Sequence, residues 1–311
     1  MLILINLLSR VKNKLIRLLY LRNPVNIIAG HKIYKNDSGF IANFIGNIVL
    51  KKVQKSSISN KLNFSDLTIN AVNTLKSEGF IQLEDKVSQT VIDEINKHFY
   101  DEIKNLPIPS DGRIELSSID NVSFYKKFPI VQNILFTKSI KKILENYYNA
   151  GFKVINTHIY RTIPVEKIKN TSINIEAYGS TEFWHNDGST TDSLKLFVLL
   201  NDVNEQNGPM HIINKKDTKK IVAKGFTKYR EGLSNGIIEN DYKVNKFMGR
   251  CGSIMLADTN LCLHRGDIVK KNNHRDMLVF YLIPSQNEFS GIEAGSSSRE
   301  QFFGFKRLLF N

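Results

Sequence analysis

Between residues 181 and 188 the chain reads TEFWHNDG, with His185 and Asp187 two positions apart directly after Phe183 and Trp184. On a β-strand that separation sends both side chains to one face, because successive Cβ atoms alternate across a sheet. An imidazole nitrogen and a carboxylate oxygen held side by side can bind one metal ion together. A further histidine from another strand completes the facial set of two histidines and one carboxylate that suits non-haem Fe(II). The pair alone is a weak signal, because a second His-x-Asp occurs at His274 and Asp276. That second pair lacks an upstream partner run and reads as polar residues at the start of a strand.

The third ligand candidate is His264, inside LCLHRGD (261–267). A double-stranded β-helix brings its early and late strands together across the barrel, so the long separation from Asp187 fits that architecture. Arg275 then leads another strand, where a guanidinium can hold a carboxylate through two parallel hydrogen bonds. Each residue has a plainer reading. His185 can be a buried histidine with a satisfied ring, Asp187 a turn former before Gly188, His264 a strand-end histidine and Arg275 a solvated loop arginine. Trp184, the single tryptophan, reads as core; His98 reads as a partly exposed helix histidine; His211 faces either the pocket or outward.

The elements that must position these groups follow from periodicity. Residues 64–85 carry a helix with Leu67, Ile69, Val72 and Leu75 at helical spacing, stopped by Gly79 and followed by a short strand from Phe80. Residues 86–106 carry a second helix on Val91, Ile92, Ile95, Phe99 and Ile103, ended by Pro107 and Pro109. From about residue 151 the pattern turns to strands: FKVINTHIYRTIP (152–164), SLKLFVLLNDV (193–203), MHIIN (210–214), GSIMLAD (252–258), LCLHRGD and MLVFYLI (277–283). In the first of these, alternation puts Val154, Asn156, His158 and Tyr160 on one face. Asn, His and Tyr on a strand face suggest a cavity lining. Residues 215–247 read as a long loop, or a loop with a short helix, of the sort that closes over sites. The fold expected is mainly β with a helical N-terminal layer to about residue 150, and a jelly-roll (cupin-like) double-stranded β-helix core over about 151–285.

Composition bounds the alternatives. The 311 residues are 41% hydrophobic and 10% aromatic, which is globular rather than disordered. Cys251 and Cys262 are the only cysteines and lack CxxC spacing, which disfavours a disulfide framework or thiolate zinc site and points to a reducing, cytoplasmic compartment. The net charge of +13 is spread along the chain and comes with no nucleic-acid-binding module, so no nucleic-acid partner is expected. Residues 1–30 form a basic amphipathic helical segment: Leu4, Leu8, Val11, Leu15 and Leu18 recur at helical spacing opposite Arg10, Lys14 and Arg17. Those charges rule out a membrane span. Two readings stay open, a peripheral membrane contact through residues 1–22 or packing on the protein's own surface.

With these pieces in order, the chain resembles the phytanoyl-CoA dioxygenase family of Fe(II)- and 2-oxoglutarate-dependent oxygenases. The resemblance lies in LKSEGFIQLED (75–85), FWHND (183–187), LLNDVNEQNGPMHII (199–213), GSIMLAD (252–258), His264 and Arg275, and spans roughly 75–285. It implies that His185, Asp187 and His264 bind Fe(II), and that Arg275 grips the distal carboxylate of the co-substrate 2-oxoglutarate. It further implies that Asn156 and Tyr160 are co-substrate contacts and that O2 is consumed. The reaction implied is hydroxylation of a C–H bond in a small-molecule or lipid/glycan-type substrate, with release of succinate and CO2. Related halogenases carry a small residue where this chain keeps Asp187, which favours hydroxylation. The chain departs from the family after the NGP run, where Asn214-Lys215-Lys216-Asp217 replaces the usual Pro-Gly-Ser-His turn that borders the pocket. The rival readings are a non-catalytic metal-binding jelly roll with a binding or sensing role, and a basic nucleic-acid-binding protein.

Overall fold

The structure is a computed structural model, and it describes residues 66–109, 112–117, 128–164, 183–187, 193–223, 238–285 and 287–291. The N-terminal amphipathic segment, residues 1–30, lies outside the described residues, as does the stretch from 292.

In chain order the elements are α1 (Asp66–Glu78), β1 (Phe80–Lys86), α2 (Gln89–Ile103), β2 (Arg113–Ser117) and a 3-10 segment (Pro129–Phe136). They continue with α3 (Lys138–Tyr148), β3 (Gly151–Thr162), β4 (Leu194–Leu199), β5 (Met210–Ile212) and α4 (Lys215–Ala223). Strands β6 (Asn245–Phe247), β7 (Ser253–Ala257), β8 (His264–Gly266) and β9 (Arg275–Ser285) complete the order. Six strands form one antiparallel sheet in the order β1-β7-β4-β9-β3-β2, and three form a second in the order β6-β5-β8. This is the antiparallel jelly-roll architecture expected from the sequence.

The larger sheet is buried on both faces, so its central strands read as nearly unbroken apolar runs. Leu194, Leu196 and Val198 of β4 join Leu278, Phe280 and Leu282 of β9 in a core completed by Val72 and Leu75 of α1, Ile92, Ile95 and Phe99 of α2, and Ile143 and Leu144 of α3. The opposite face of the same strands meets the small sheet through Phe197, Leu199, Met210, Ile212, Met277 and Val279. Tyr148, at the end of α3, ties the helical layer down: its hydroxyl donates to Leu282 O (3.0 Å) and accepts from Leu194 N–H (3.1 Å).

Two sequence expectations change. Ile69 is 41% exposed, while Thr68, Val72 and Leu75 make the buried stripe of α1. A step of about 100° per residue rotates Ile69 off that stripe. Val154 does not share a face with Asn156, His158 and Tyr160. The register jumps from Val154↔Leu282 to Asn156↔Tyr281, so Ile155 is an extra residue in a β-bulge. A bulge reverses the facing of every residue beyond it. Phe152, Val154 and Ile159 therefore face the helical core, and Tyr160 faces the small sheet.

Candidate metal centre

His185 and His264 are brought together by backbone pairing. Each donates its N–H to the other's carbonyl at 3.0 Å, forming an isolated antiparallel bridge beside β8. Directly paired residues carry their side chains on the same face, and the ring centroids stand 4.3 Å apart. Asp187, two residues along, is anchored by its own N–H to Thr259 O at 3.1 Å. One ligand atom from each of His185, Asp187 and His264 lies within 4.8 Å of the others.

Ring orientation suits a cation. His185 Nδ1 is 2.7 Å from Phe183 O and His264 Nδ1 is 3.1 Å from Cys262 O. A ring nitrogen committed to a carbonyl must carry the proton, which makes Nε2 the lone-pair nitrogen of each ring. Both Nε2 atoms point at Asp187: His185 Nε2 is 3.9 Å from Oδ1, and His264 Nε2 is 3.7 Å from Oδ2. Burial would push the Asp187 carboxyl up, but the Lys195 ammonium beside it outweighs burial and holds it well below the usual carboxylate range. Two neutral imidazoles and one ionised carboxylate are a donor set that fits a divalent first-row metal.

Around this trio lies a cavity of about 230 Å³, lined among others by Tyr160, Thr162, Lys195, Phe197, Arg265 and Arg275. Arg275 is 4% exposed and pairs across the sheet with Thr162. Its place is set by the run 201–209. Asn201 Nδ2 (3.1 Å) and Asn207 Nδ2 (2.8 Å) both donate to His274 O, while Asn201 Oδ1 accepts from Asp276 N–H at 2.7 Å. The backbone is thus gripped on both sides of Arg275. Gly208 closes this turn with φ +63°, and a Cβ there would sit 2.4 Å from Asp267 O, so the position demands glycine.

The remaining expected residues fall as follows. Tyr160 lines the cavity, with the Arg113 guanidinium 4.0 Å from its ring centroid. Asn156 does not line it; the Asn156 amide contacts His158 Nε2 and accepts from Thr157 N–H. His211 is buried on the far side of β5, with its ring centroid 6.4 Å from that of Trp184 and Nε2 3.7 Å from Asp267. Trp184 belongs to a small core with Ile213, Ile221 and Leu263. The Asn214–Asp217 departure opens α4: Asn214 Oδ1 accepts from Asp217 N–H at 2.8 Å, which is how an N-cap satisfies a first-turn donor.

The sequence reading passed over three groups. Lys195 places Nζ 2.7 Å from Asp187 Oδ2 and 4.3 Å from the Tyr281 ring centroid. Arg113 pairs with Glu115 at 2.8 Å on β2, and the Glu115 carboxylate meets His158 Nδ1. Burial, with the Arg113 and Lys195 charges nearby, pushes the His158 imidazole down to about 3. Lys195 was visible as the one charge in LKLFVLL; Arg113 and Glu115 carried no periodic signal.

No family model matches the chain, and no curated protein matches it. Solved structures do. EctD from S. alaskensis in its apo form aligns with a TM-score of 0.52 at 12% identity, covering 78% of this chain and 85% of EctD. The same protein with bound Fe aligns at 0.51 and 14% identity, covering 74% and 81%. With 2-oxoglutarate and 5-hydroxyectoine bound, it aligns at 0.49 and 13% identity, covering 80% and 85%. The first two likenesses show that this chain has the jelly-roll fold of EctD.

Proposed function

We propose that this protein is an Fe(II)- and 2-oxoglutarate-dependent dioxygenase that hydroxylates an unactivated C–H bond in a small-molecule or lipid/glycan-type substrate. The observation that carries the reading is the convergence of His185 Nε2, His264 Nε2 and the ionised Asp187 in one cavity, with both Nδ1 atoms committed to backbone carbonyls. The iron held by EctD in the same fold is consistent with it. When bound, Fe(II) supplies activation of O2 against a 2-oxo acid, for the balance R–H + 2-oxoglutarate + O2 → R–OH + succinate + CO2.

The chain's own residues serve that balance in distinct ways. His185, Asp187 and His264 would hold the ion, one ligand atom each, and leave room beside it for co-substrates. Arg275, fixed by Asn201 and Asn207, meets the distal carboxylate of 2-oxoglutarate, with the Thr162 hydroxyl beside it across the sheet. Tyr160, with Phe197, Met210 and Val279, forms the apolar part of the cavity wall. A carboxylate at position 187 favours hydroxylation over halogenation. Peripheral membrane contact through residues 1–22 is part of the proposal, and unchanged liposome binding after deletion of residues 1–30 would sink that part.

Anaerobic titration of Fe(II) and then 2-oxoglutarate tests the core reading. The expected result is a visible metal-to-ligand charge-transfer band in the wild type that vanishes in Asp187→Ala and His264→Ala and weakens in Arg275→Ala. Bound iron with no such band on adding 2-oxoglutarate would overturn the reading.

A further inference from the structure

Resting on that reading, we propose that Lys195 is a positioning residue for the metal-binding carboxylate: it takes up Asp187 Oδ2, so that Oδ1 alone is offered to the ion. Strand β4 is Leu194–Leu199, and Lys195 is its single charged residue. It lies on the cavity face together with Phe197, its side chain 11% exposed. Burying an ammonium in such a strand costs several kcal/mol unless a partner compensates. Asp187 is that partner and the only carboxylate lining the cavity among the described residues. Nζ stands 2.7 Å from Oδ2 as an ion pair, and no hydrogen bond reaches that buried oxygen. The ring of Tyr281, directly opposite Lys195 across the β4–β9 ladder, supports the ammonium from the other side.

Two consequences oppose each other. A fixed positive charge beside a ligand carboxylate repels an incoming divalent cation, so Lys195 lowers metal affinity. The same contact stops Asp187 from turning both oxygens to the ion. With three protein ligands on the ion, the 2-oxo acid and O2 would need the coordination room that remains. A two-oxygen carboxylate would consume part of it. Lys195 thus gives up metal affinity to keep room for both co-substrates.

The experiment is Co(II) binding by calorimetry and visible absorption under anaerobic conditions, followed by titration of 2-oxoglutarate into the Co(II)-loaded protein. Wild type is compared with Lys195→Met, Lys195→Arg and Lys195→Gln. In Lys195→Met, Co(II) should bind roughly tenfold more tightly because the opposing charge is gone, its absorption should change in shape, and 2-oxoglutarate should bind roughly tenfold more weakly. Lys195→Arg should restore wild-type behaviour. Lys195→Gln, which removes charge but keeps a donor, should tighten Co(II) while retaining 2-oxoglutarate affinity; if the Met variant does not fold, this split alone decides. Identical spectra and 2-oxoglutarate affinities across the folded variants would overturn the proposal, as would loss of Co(II) binding in Lys195→Met. A wild type that binds no Co(II) would sink the dioxygenase reading as well, whereas binding without a difference among variants sinks this inference alone.

Discussion

Two acid–base pairs, each with one partly exposed member, lie on opposite faces of the large sheet, and they are built differently. On the helix side, Asp276 is fully buried and saturated. Arg161 donates Nε to Oδ1 (2.8 Å) and NH2 to Oδ2 (2.7 Å), and the Tyr100 hydroxyl adds 3.2 Å to Oδ2. The Tyr100 phenol is pushed up to about 12 by burial and by that same carboxylate. On the cavity side, Asp187 meets a single lysine on one oxygen, and two imidazole nitrogens face it at distances too long for hydrogen bonds. A carboxylate whose valences are all used holds strands together. One with valences left open contributes less to holding the strands together.

The contrast can be broken from either side. The largest effect should come from Arg161→Met, which strands a buried charge at Asp276. We expect a loss of about 3–5 kcal/mol in chemical denaturation, with Co(II) affinity of the folded fraction unchanged. Replacing Asp276 with Leu in the same chain should recover most of that loss. Next is metal linkage: Co(II) at a hundred times its Kd should raise wild-type stability by about 2.7 kcal/mol, and should do nothing for His264→Ala, whose metal-free stability stays near wild type. Arg275→Met should cost about 2 kcal/mol of 2-oxoglutarate binding to the metal-loaded protein, read as roughly a thirtyfold rise in Kd, while metal affinity holds. The smallest effect belongs to Asn214→Ala at the start of α4, about 1 kcal/mol of stability with no change in metal or keto-acid binding.

Much of the site was legible because its parts are local or carry strong chemistry. The spacing of His185 and Asp187, the apolar runs of β4 and β9, and the NGP turn each announce themselves within a few residues. Helices α1 and α2 were legible from periodicity, although Ile69 shows that an apolar residue at helical spacing need not face the core. The facing of Val154 was misread because a bulge leaves no mark on an alternating pattern; only the partner strand reveals it. Strand β2 stayed hidden because RIELS owes its strand state to pairing with β3 rather than to its own pattern. With it went Arg113 and Glu115.

By itself, then, the sequence determined which groups were available and which face of most strands each would take, since alternation and turn chemistry are properties of neighbouring residues. Distances between groups far apart in the chain were decided by the tertiary structure. Backbone pairing of residues 185 and 264 sets the two imidazoles 4.3 Å apart. The asparagines of the 201–209 run fix Arg275, and strand order puts Lys195 against Asp187. The physical reason is that a buried charge must find its partner in space, and which partner it meets depends on sheet register, which no local stretch of sequence encodes.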